Sequence, residues 1–313
     1  MKALILDEFG PAENLKLVDL HVPDIQDNEV LIKVRAIGIN PVDVKTRAGS
    51  GLAARIKEFM PVILGWDIAG TVTAVGKGVK EFRIGDDVFG MVNFPGHGRA
   101  YSEFVAAPAD HLALKPSNIS YQEAAAATLA ALTAWQALVH HYAIKNGPRV
   151  FIHAAAGGVG HFAVQIAKHF GAKVTGSSSA ANKDFVLKLG ADEHFDYKNS
   201  KLEDLAPFDF VLDCLGAENV EKSLAVIKPG GAVVSILGGA TPAVVEKAKA
   251  QNIACSAFLV HSSGADMKLL AELLAAGVIK SHVTKMYAFS EMIQAHKHVE
   301  TGRTVGKVVV SIP

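Results

Sequence analysis

The chain has 313 residues, a length that suits two domains better than one small module. Half of its residues are hydrophobic and a fifth are charged, a balance that favours packed cores over disorder. The 31 basic residues equal the 31 acidic ones, so the formal net charge is zero, which argues against nucleic acid as the main partner.

The composition also bears on disulfides, metals and membranes. Two cysteines, Cys214 and Cys255, are too few for a disulfide framework or a four-cysteine zinc site. No run approaches the roughly 18 apolar residues that span a bilayer, and the apolar stretch after Met1 is too short for a signal peptide. We therefore expect a soluble, cytoplasmic protein with no membrane partner.

The N-terminal part of the sequence is typical of short β-strands separated by turns. Residues 29–36 and 69–76 are predicted strands, and the second ends at a Gly-Lys-Gly turn. A third strand is expected after the turn at Gly85-Asp86. Strands this short and closely spaced predict a barrel or a partly open sheet.

The pattern changes near Pro116. Ser120 and Glu123 fit a capping box before the helix-prone run 124–131. Strands and helices then alternate, with strands expected at 149–153, 172–175, 208–213 and 232–237 and helices at 159–170, 184–189 and 219–227. The helix 219–227 is expected to end at the turn 228–231. This alternation predicts a doubly wound parallel sheet.

The C-terminal part adds a helix and a strand. Residues 267–276 place four leucines on one helical stripe and end at Gly277. Residues 307–312 form a β run that we expect to return to the first domain, which would make that domain discontinuous. The predicted class is therefore α/β, with a Rossmann sheet and a second, mostly β domain.

A glycine-rich turn is the most informative segment. It follows a predicted strand and opens a predicted helix, the setting of a dinucleotide-binding loop. Small residues there let the backbone approach a pyrophosphate, whose charge faces the amides at the helix start. A turn of this kind can also serve close packing alone. The residues predicted to bind the cofactor here are Ala155, Ala156, Gly157, Gly158, Val159 and Gly160.

The stretch after the next strand bears on the choice of cofactor. An acidic residue about 20 positions beyond the loop binds the ribose hydroxyls of NAD. Here the stretch holds Ser177, Ser178 and Lys183, with no acid before Asp184. Hydroxyls and a lysine suit a 2′-phosphate, so we predict NADPH over NADH. The alternative is a solvated loop with a surface lysine.

Several segments in chain order resemble the medium-chain dehydrogenase/reductase superfamily, in its zinc-free branch of quinone oxidoreductases and alkenal/enone reductases. They are Asn40-Pro41-x-Asp43, Pro61-x-x-x-Gly65-x-Asp67-x-Ala69-Gly70, Thr133-Ala134-Trp135, the glycine-rich turn, and Gly306-Lys307-Val308-Val309. The resemblance implies a GroES-like catalytic domain at residues 1–118 and 259–313, a Rossmann domain at 119–258, and an active site between them.

The chain departs from the zinc-dependent members of the superfamily. Those members have a Cys where this chain has Asn40, and a His-Glu pair where it has Trp66-Asp67. These positions no longer supply converging zinc ligands, so we predict no metal. Trp66 is interpreted either as a flat wall for a planar acceptor or as a core residue.

The resemblance also suggests individual roles. Asn40 and Asp43 would lie near the nicotinamide. The Asn40 amide would donate to the carboxamide or to an oxyanion, or would only cap a turn. Asp43 would act in acid–base chemistry or as a structural acceptor. The family's further cofactor contacts correspond to Thr133, Lys183, Tyr197 and, more weakly, Arg303, while Leu215, Leu237 and Gly238 end parallel strands where the dinucleotide would lie.

Without a Lewis acid, a hydride acceptor must already be electrophilic, as a quinone or an α,β-unsaturated carbonyl is. We predict an NADPH-dependent, zinc-independent oxidoreductase that acts on such a small molecule, does not bind nucleic acid and, by family resemblance, forms a homodimer. The relatives' tyrosine after Arg47-x-Gly49 is missing, so solvent is the expected proton source. The alternative is an NADPH-binding redox sensor or structural protein with little catalysis.

Overall fold

A computed structural model describes residues 1–145 and 147–313 of the chain. By their internal contacts these residues form two compact units. Unit 1 comprises Met1–Leu132 and His261–Pro313, and unit 2 comprises Thr133–Val260. In the described residues no helix is both long enough and apolar enough to cross a membrane.

The strands and helices alternate irregularly in unit 1 and regularly in unit 2. The strands are β1 Lys2–Leu6, β2 Leu15–Asp19, β3 Glu29–Ile39, β4 Val62–Ile63, β5 Asp67–Val75, β6 Asp87–Met91, β7 Phe104–Pro108, β8 Leu112–Leu114, β9 Arg149–Ile152, β10 Lys173–Ser178, β11 Glu193–Asp196, β12 Phe208–Asp213, β13 Ile227–Ser235, β14 Ala254–Ala257, β15 Val283–Ala288 and β16 Lys307–Ser311. The helices are α1 Pro41–Arg47, α2 Ala53–Ile56, α3 Tyr121–Ala126, α4 Leu129–Trp135, α5 Gly158–His169, α6 Lys183–Lys188, α7 Ala217–Ser223, α8 Pro242–Ala250, α9 Gly264–Ala275 and α10 Met292–Glu300.

Unit 1 is built around β3. The first half of this strand alternates buried Val30, Ile32 and Val34 with half-exposed residues, and the stretch from Ala36 to Ile39 is buried throughout. β3 lies between β16 and β5 in a sheet ordered β15-β16-β3-β5-β6-β8, and it also pairs with β7. A separate sheet has the order β2-β1-β4. Because β16 pairs with β3, the C-terminal strand does return to the first part of the chain, as predicted.

The division between the units differs from the predicted boundary at residue 118. Ser120 caps α3 and forms the predicted capping box with Glu123. Helix α3 then packs on β3, β5 and β16 of unit 1 through three fully buried alanines, Ala124, Ala125 and Ala126. The segment up to Leu132 belongs to unit 1, whereas the family resemblance assigned residues from 119 onwards to the Rossmann domain.

Unit 2 is a parallel six-stranded sheet with the order β11-β10-β9-β12-β13-β14. Numbered within the unit this order is 3-2-1-4-5-6, that of the doubly wound dinucleotide-binding fold. The predicted α/β class with a Rossmann sheet is therefore confirmed. The order reverses between β9 and β12, so the carboxyl ends of these strands open the crevice where such folds take ligands.

One predicted turn is wrong. Residues 228–231 were expected to form a turn between a helix and a strand, but they lie inside β13. The helix ends earlier, at Ser223, and a short 3-10 turn follows it. The strand is irregular at this point. Gly230 has a φ of +85°, and the pairing of β12 with β13 shifts its register. The sequence suggested a turn because Lys-Pro-Gly-Gly is rich in turn formers. The four residues instead form an irregular part of β13, between Ile227 and Ala232, which are the residues that pair with β12 on either side.

Candidate active site

The glycine-rich turn of unit 2 joins β9 to α5. Ala154 adopts a left-handed backbone conformation with φ of +49°, which turns the chain sharply after the strand. The Ala154 N–H donates to the Ser177 hydroxyl at 3.2 Å, and the Ala155 N–H donates to the Ser177 carbonyl at 2.8 Å. These two bonds tie the turn to the end of β10.

The start of α5 leaves free amides at the turn. Gly157 is the N-cap, and the first helical hydrogen bond runs from His161 N to Gly157 O at 3.1 Å. The N–H groups of Gly158 and Val159 have no acceptor one turn back in the helix, so they face the turn with the positive end of the helix dipole. This arrangement suits the phosphates of a dinucleotide.

Gly160 allows the helix to approach the turn closely. A Cβ on Gly160 would lie 2.2 Å from the Ala154 carbonyl oxygen and 2.7 Å from the Ala155 Cα. By contrast, a Cβ on Gly157 would lie 3.2 Å from that same oxygen. Gly160 therefore serves helix packing, as the second interpretation of the glycine pattern expects, while Gly157 lies at the mouth of the turn.

Two neighbouring loops at the carboxyl ends of β12 and β13 are braced by Asp213. Its carboxylate accepts from the Ser235 hydroxyl at 2.6 Å, from Leu215 N at 3.2 Å and from Gly216 N at 3.0 Å. The Ser235 oxygen in turn accepts from Gly239 N at 3.1 Å. Sequence reasoning missed both residues. The sequence feature that could have identified Asp213 is an aspartate at the end of a mostly apolar strand, directly before Cys-Leu-Gly.

The predicted cofactor residues in these loops are exposed. The side chain of Leu215 is 57% exposed and that of Leu237 is 49% exposed, which leaves two apolar surfaces uncovered at the carboxyl edge of the sheet. Gly238, with φ of +74°, turns the second loop, and no atom lies within 4 Å of the Cβ position there.

The end of β10 holds the residues predicted for the 2′-phosphate. The Ser177 hydroxyl is buried and engaged by Ala154, so its place is inside the unit rather than towards solvent. The Ser178 hydroxyl lies 2.8 Å from His194 Nε2. Lys183, at the start of α6, and Tyr197, just after β11, are exposed. Burial and the Lys183 charge lower the pKa of His194, whereas Asp196 opposes that shift.

The remaining predicted cofactor residues lie elsewhere. Thr133 is buried within α4, at the start of unit 2, while Ala155 and Ala156 are buried in the turn. Arg303 is exposed, in the segment of unit 1 that precedes β16.

Unit 1 contains a buried polar cluster formed by Asn40, Asp67 and Lys307. The Asn40 amide nitrogen donates to Asp67 Oδ2 at 2.8 Å, and the Asn40 amide oxygen accepts from the Lys307 ammonium. Lys307 also forms an ion pair with Asp67 at 3.5 Å, and the second Asp67 oxygen accepts from Leu129 N at 3.0 Å. Burial raises the pKa of Asp67 and lowers that of Lys307, and the attraction between the two charges opposes both shifts.

Asp43 adjoins this cluster at the start of α1. Asn40 is the N-cap of the helix, and its backbone N–H donates to Asp43 Oδ2 at 2.6 Å. The other Asp43 oxygen is buried without a hydrogen-bond partner. Burial and the neighbouring Asp67 raise the pKa of Asp43 to about 7. The residue is thus a cap for the helix and also a group that titrates near neutral pH.

A second set of buried polar residues lies beside Asp43. The Tyr101 hydroxyl lies 2.9 Å from His296 Nε2, and Arg47 pairs with Glu300. Burial, aided by the charge of Arg47, lowers the pKa of His296 to about 3. Burial also raises the pKa of Tyr101, as do the negative charges of the nearby aspartates. Both rings are therefore neutral at physiological pH.

The metal prediction concerned Asn40, Trp66 and Asp67. Trp66 is a core residue, only 1% exposed, and its ring nitrogen donates to the Gly96 carbonyl at 2.7 Å. The first of its two interpretations, a wall for an acceptor, therefore fails. Across residues 1–145 and 147–313 no three His, Cys, Asp or Glu side chains are grouped to hold a metal ion.

Comparison with known proteins places the chain in a family. One family model, described as an alcohol dehydrogenase GroES-like domain, matches residues 26–117, and another, described as a zinc-binding dehydrogenase, matches residues 189–310. A 2-methylene-furan-3-one reductase from Solanum lycopersicum and a chloroplastic NADPH-dependent alkenal/one oxidoreductase from Arabidopsis thaliana are each 36% identical, over 99% of this chain and 79% of theirs. A solved quinone oxidoreductase from Coxiella burnetii is 36% identical with a TM-score of 0.94, over 100% of this chain and 99% of that one. The chain therefore belongs to the medium-chain dehydrogenase/reductase family, in the branch of the quinone oxidoreductases and alkenal/one oxidoreductases.

Proposed function

We propose that the protein is an NADPH-dependent oxidoreductase that transfers a hydride to a quinone or to the double bond of an α,β-unsaturated carbonyl compound, without a metal ion. The observation that carries the proposal is the glycine-rich turn at the switch point of a 3-2-1-4-5-6 parallel sheet. NADPH supplies the hydride when bound, and the protein supplies binding, orientation and charge stabilisation.

The cofactor would lie along the carboxyl edge of unit 2. The amides of Gly158 and Val159 would face its phosphates, and the exposed Leu215 and Leu237 would cover apolar parts of it. Lys183 is exposed near His194 and would pair with the 2′-phosphate. The name of the Arabidopsis relative, an NADPH-dependent enzyme, supports the same choice of cofactor.

In unit 1, Asn40 would donate to the substrate oxyanion or to the nicotinamide carboxamide. Its amide nitrogen has two hydrogens; it donates to Asp67 at 2.8 Å, and the Asn40 side chain also interacts with Asp43. Asp43 would act through Asn40, because its carboxyl binds the Asn40 backbone N–H. With no tyrosine in the segment after Arg47, solvent would protonate the carbon next to the carbonyl.

Independence from zinc is supported by the charge of Lys307. This buried ammonium lies against both Asn40 and Asp67, so a divalent cation brought to these residues would be repelled at close range in a medium of low dielectric. Purified protein should keep its activity after dialysis against a chelator. Activity lost to the chelator and restored by zinc would contradict this part of the proposal.

The first experiment follows NADPH oxidation by its absorbance in metal-free buffer, with a panel of quinones and then of short enones. We expect turnover with at least one of these classes and a clear preference for NADPH over NADH. Tight NADPH binding with no turnover across both panels would favour a sensor or structural role instead. Absence of NADPH binding would overturn the proposal as a whole.

We also propose a homodimer and a cytoplasmic location. β14 pairs with β13 on one side only in the described sheet, and Ala254, Ser256 and Ala257 are exposed on it. Such an edge can extend its sheet by pairing with the same strand of a second copy. Sedimentation velocity at micromolar concentration should give about twice the chain mass of 33.0 kDa, and a single monomer boundary would refute the dimer.

A further inference from the structure

A cavity of about 530 Å³ opens on the surface of unit 1. One of its walls is formed by the end of α2 and the 3-10 turn Lys57–Phe59 that follows it, and the other is formed by the loop at residues 95–97. Both walls belong to unit 1, so the cavity is complete without any residue of unit 2. Its volume lies in the range of pockets that bind small molecules, about 300–1,000 Å³.

Phe59 and His97 give the cavity an aromatic surface. Their rings are stacked, with centroids 5.3 Å apart and planes 22° from parallel. Phe59 is still 47% exposed, so much of its ring is open to the cavity rather than packed in the core. Ala54 and Pro95 add further apolar lining. A flat, open ring surface of this kind favours a planar aromatic ligand.

His97 is held in one orientation and carries no charge. Its Nε2 atom lies 3.0 Å from the Ile63 carbonyl oxygen, which can only accept, so Nε2 carries the hydrogen. Its Nδ1 atom accepts from Arg99 Nε at 3.3 Å. Burial and the charge of Arg99 lower the pKa of His97 to about 4. The ring is therefore neutral at physiological pH, and any charge offered to a ligand comes from other side chains.

The rim of the cavity carries an excess of positive charge. Arg55 and Lys57 line it and are exposed, and the one lining carboxylate is that of Glu58. Neither cation forms an ion pair with any residue that the structure describes. Arg99 adds a third positive charge beside the loop wall. Because the chain as a whole has no net charge, this excess is local, and it favours a ligand with a negative charge.

A single exposed phenylalanine needs no explanation in a folded protein. Here the exposed ring stacks on a histidine that is hydrogen-bonded through both ring nitrogens, and two cations stand on the same concave surface. Apolar walls with a few converging charged groups are the usual composition of a small-molecule site. We propose that this cavity binds a planar aromatic anion, whose ring lies on Phe59 and whose carboxylate or similar group pairs with Arg55 and Lys57. The site is additional to the proposed oxidoreductase function and needs no NADPH.

The first test uses 2-naphthoate and its uncharged isostere 2-naphthamide as probes, with the full chain and no NADPH present. Calorimetric titration at low salt should give a Kd of at most about 0.5 mM for 2-naphthoate and a Kd at least about fivefold higher for 2-naphthamide. The difference should shrink at about 0.5 M salt, which screens exposed charges. Equal affinities at low salt would overturn the assignment of an anion. Absence of binding by both probes would overturn the site itself.

Two variants separate the ring from the charges. Phe59→Ala should weaken both probes at least about fivefold, because both stack on the ring. Arg55→Gln/Lys57→Gln should weaken 2-naphthoate at least about fivefold and change the Kd of 2-naphthamide less than about twofold. All three side chains are exposed, so the thermal melts of both variants should match that of the wild type.

The matched control is Lys77→Gln/Arg83→Gln, which removes one lysine and one arginine from exposed positions of unit 1 outside the cavity. Its affinities for both probes should equal those of the wild type. If this control loses 2-naphthoate binding as much as Arg55→Gln/Lys57→Gln does, the attraction is general to the surface and the proposal is wrong.

The position of the bound probe is read from His97 by NMR. The ring-proton signals of His97, identified by their loss in His97→Gln, should shift when 2-naphthoate is added to the wild type. Binding that leaves these signals unchanged would place the probe elsewhere and overturn the proposal. None of these measurements involves turnover, so their outcome does not depend on whether the protein reduces quinones or enones.

Discussion

The hydroxyl of Ser235 donates a 2.6 Å hydrogen bond to Asp213 Oδ2, across the carboxyl ends of two neighbouring parallel strands. Both side chains are fully buried. Asp213 also accepts from Leu215 N in the loop after β12, and Ser235 also accepts from Gly239 N in the loop after β13. The bond between the two side chains therefore links the two loops. The contact is thus a brace for the surface on which we place the cofactor.

Ser235→Ala should weaken NADPH binding without touching the cofactor. The change leaves the Gly239 N–H without its acceptor and the Asp213 carboxylate without one donor, and an unmade buried hydrogen bond costs about 1–3 kcal/mol. We expect the NADPH Kd, measured by calorimetry, to rise about tenfold, which corresponds to about 1.4 kcal/mol. Ser200→Ala, an exposed serine of the same unit, should bind as the wild type does. Equal affinity in all three proteins would show that the brace is not needed for binding.

Lys183→Ala should change cofactor selectivity rather than activity in general. A hydrogen bond from an ammonium to a phosphate contributes roughly 1.5–3 kcal/mol, so KM for NADPH should rise about 10- to 100-fold. KM for NADH, which has no 2′-phosphate, should change less than about twofold. Lys188→Ala, at the other end of α6, is the matched control. If the KM values for NADPH and NADH rise by the same factor, Lys183 does not bind the 2′-phosphate.

Most of the fold could be predicted from the sequence because its signals are local. The strand 208–213 was predicted with the bounds that the structure shows, and the helix and strands around the glycine-rich turn agree within a few residues. Apolar residues at alternate positions are enough to predict the strands there, and apolar residues at helical spacing are enough to predict the helix. Residues 228–231 were misjudged because the strand continues through them as an irregular stretch between Ile227 and Ala232, the residues that pair with β12, and a local pattern of turn formers does not show that.

The site was predictable only where a motif carries it. Gly157 and Gly160 were found from their spacing, but the pattern did not show that one lies at the mouth of the turn and the other packs a helix. Lys307 was quoted only as part of a C-terminal motif, because 267 positions separate it from Asn40 and only the pairing of β16 with β3 brings the two together. Similarly, the shifted pKa of Asp43 depends on burial, which the sequence does not reveal.

The two glycines should fail in different ways when each is replaced by alanine. Gly160→Ala places a Cβ 2.2 Å from a backbone oxygen, so the turn or α5 must move and the unit should lose stability as well as NADPH binding. Gly157→Ala meets that oxygen at 3.2 Å with an ordinary φ of −82°, so stability should change by less than about 1 kcal/mol. NADPH binding should still weaken, because the added methyl lies where the phosphates approach. Thermal melts with and without NADPH separate the two effects, and equal losses of stability would contradict the assignment.

Asp43 should make stability fall as the pH rises towards neutrality. Its pKa is about 7 in the folded protein against 3.8 for the free side chain, so between these values the folded state holds a proton that the unfolded state has lost. The stabilisation is complete below about pH 4 and disappears as the pH passes about 7, with a slope of up to about 1.4 kcal/mol per pH unit. The lowered pKa of His296 acts in the opposite direction, since that ring must be neutral to fold.

Asp43→Asn isolates this contribution, because the His296 effect is common to both proteins and cancels in the difference. We compare the free energy of unfolding of Asp43→Asn with that of the wild type. The difference, variant minus wild type, should increase by roughly 2–3 kcal/mol between about pH 5 and about pH 8. Urea unfolding in a Trp135→Phe background reports on unit 1 alone, because Trp66 is then the one tryptophan of the chain. The substituted amide still offers an oxygen to the Asn40 N–H, so the cap of α1 is kept in the variant. Parallel stability curves over this range would mean that Asp43 is ionised in the folded protein, and that the lysine at 307 serves two carboxylates rather than one.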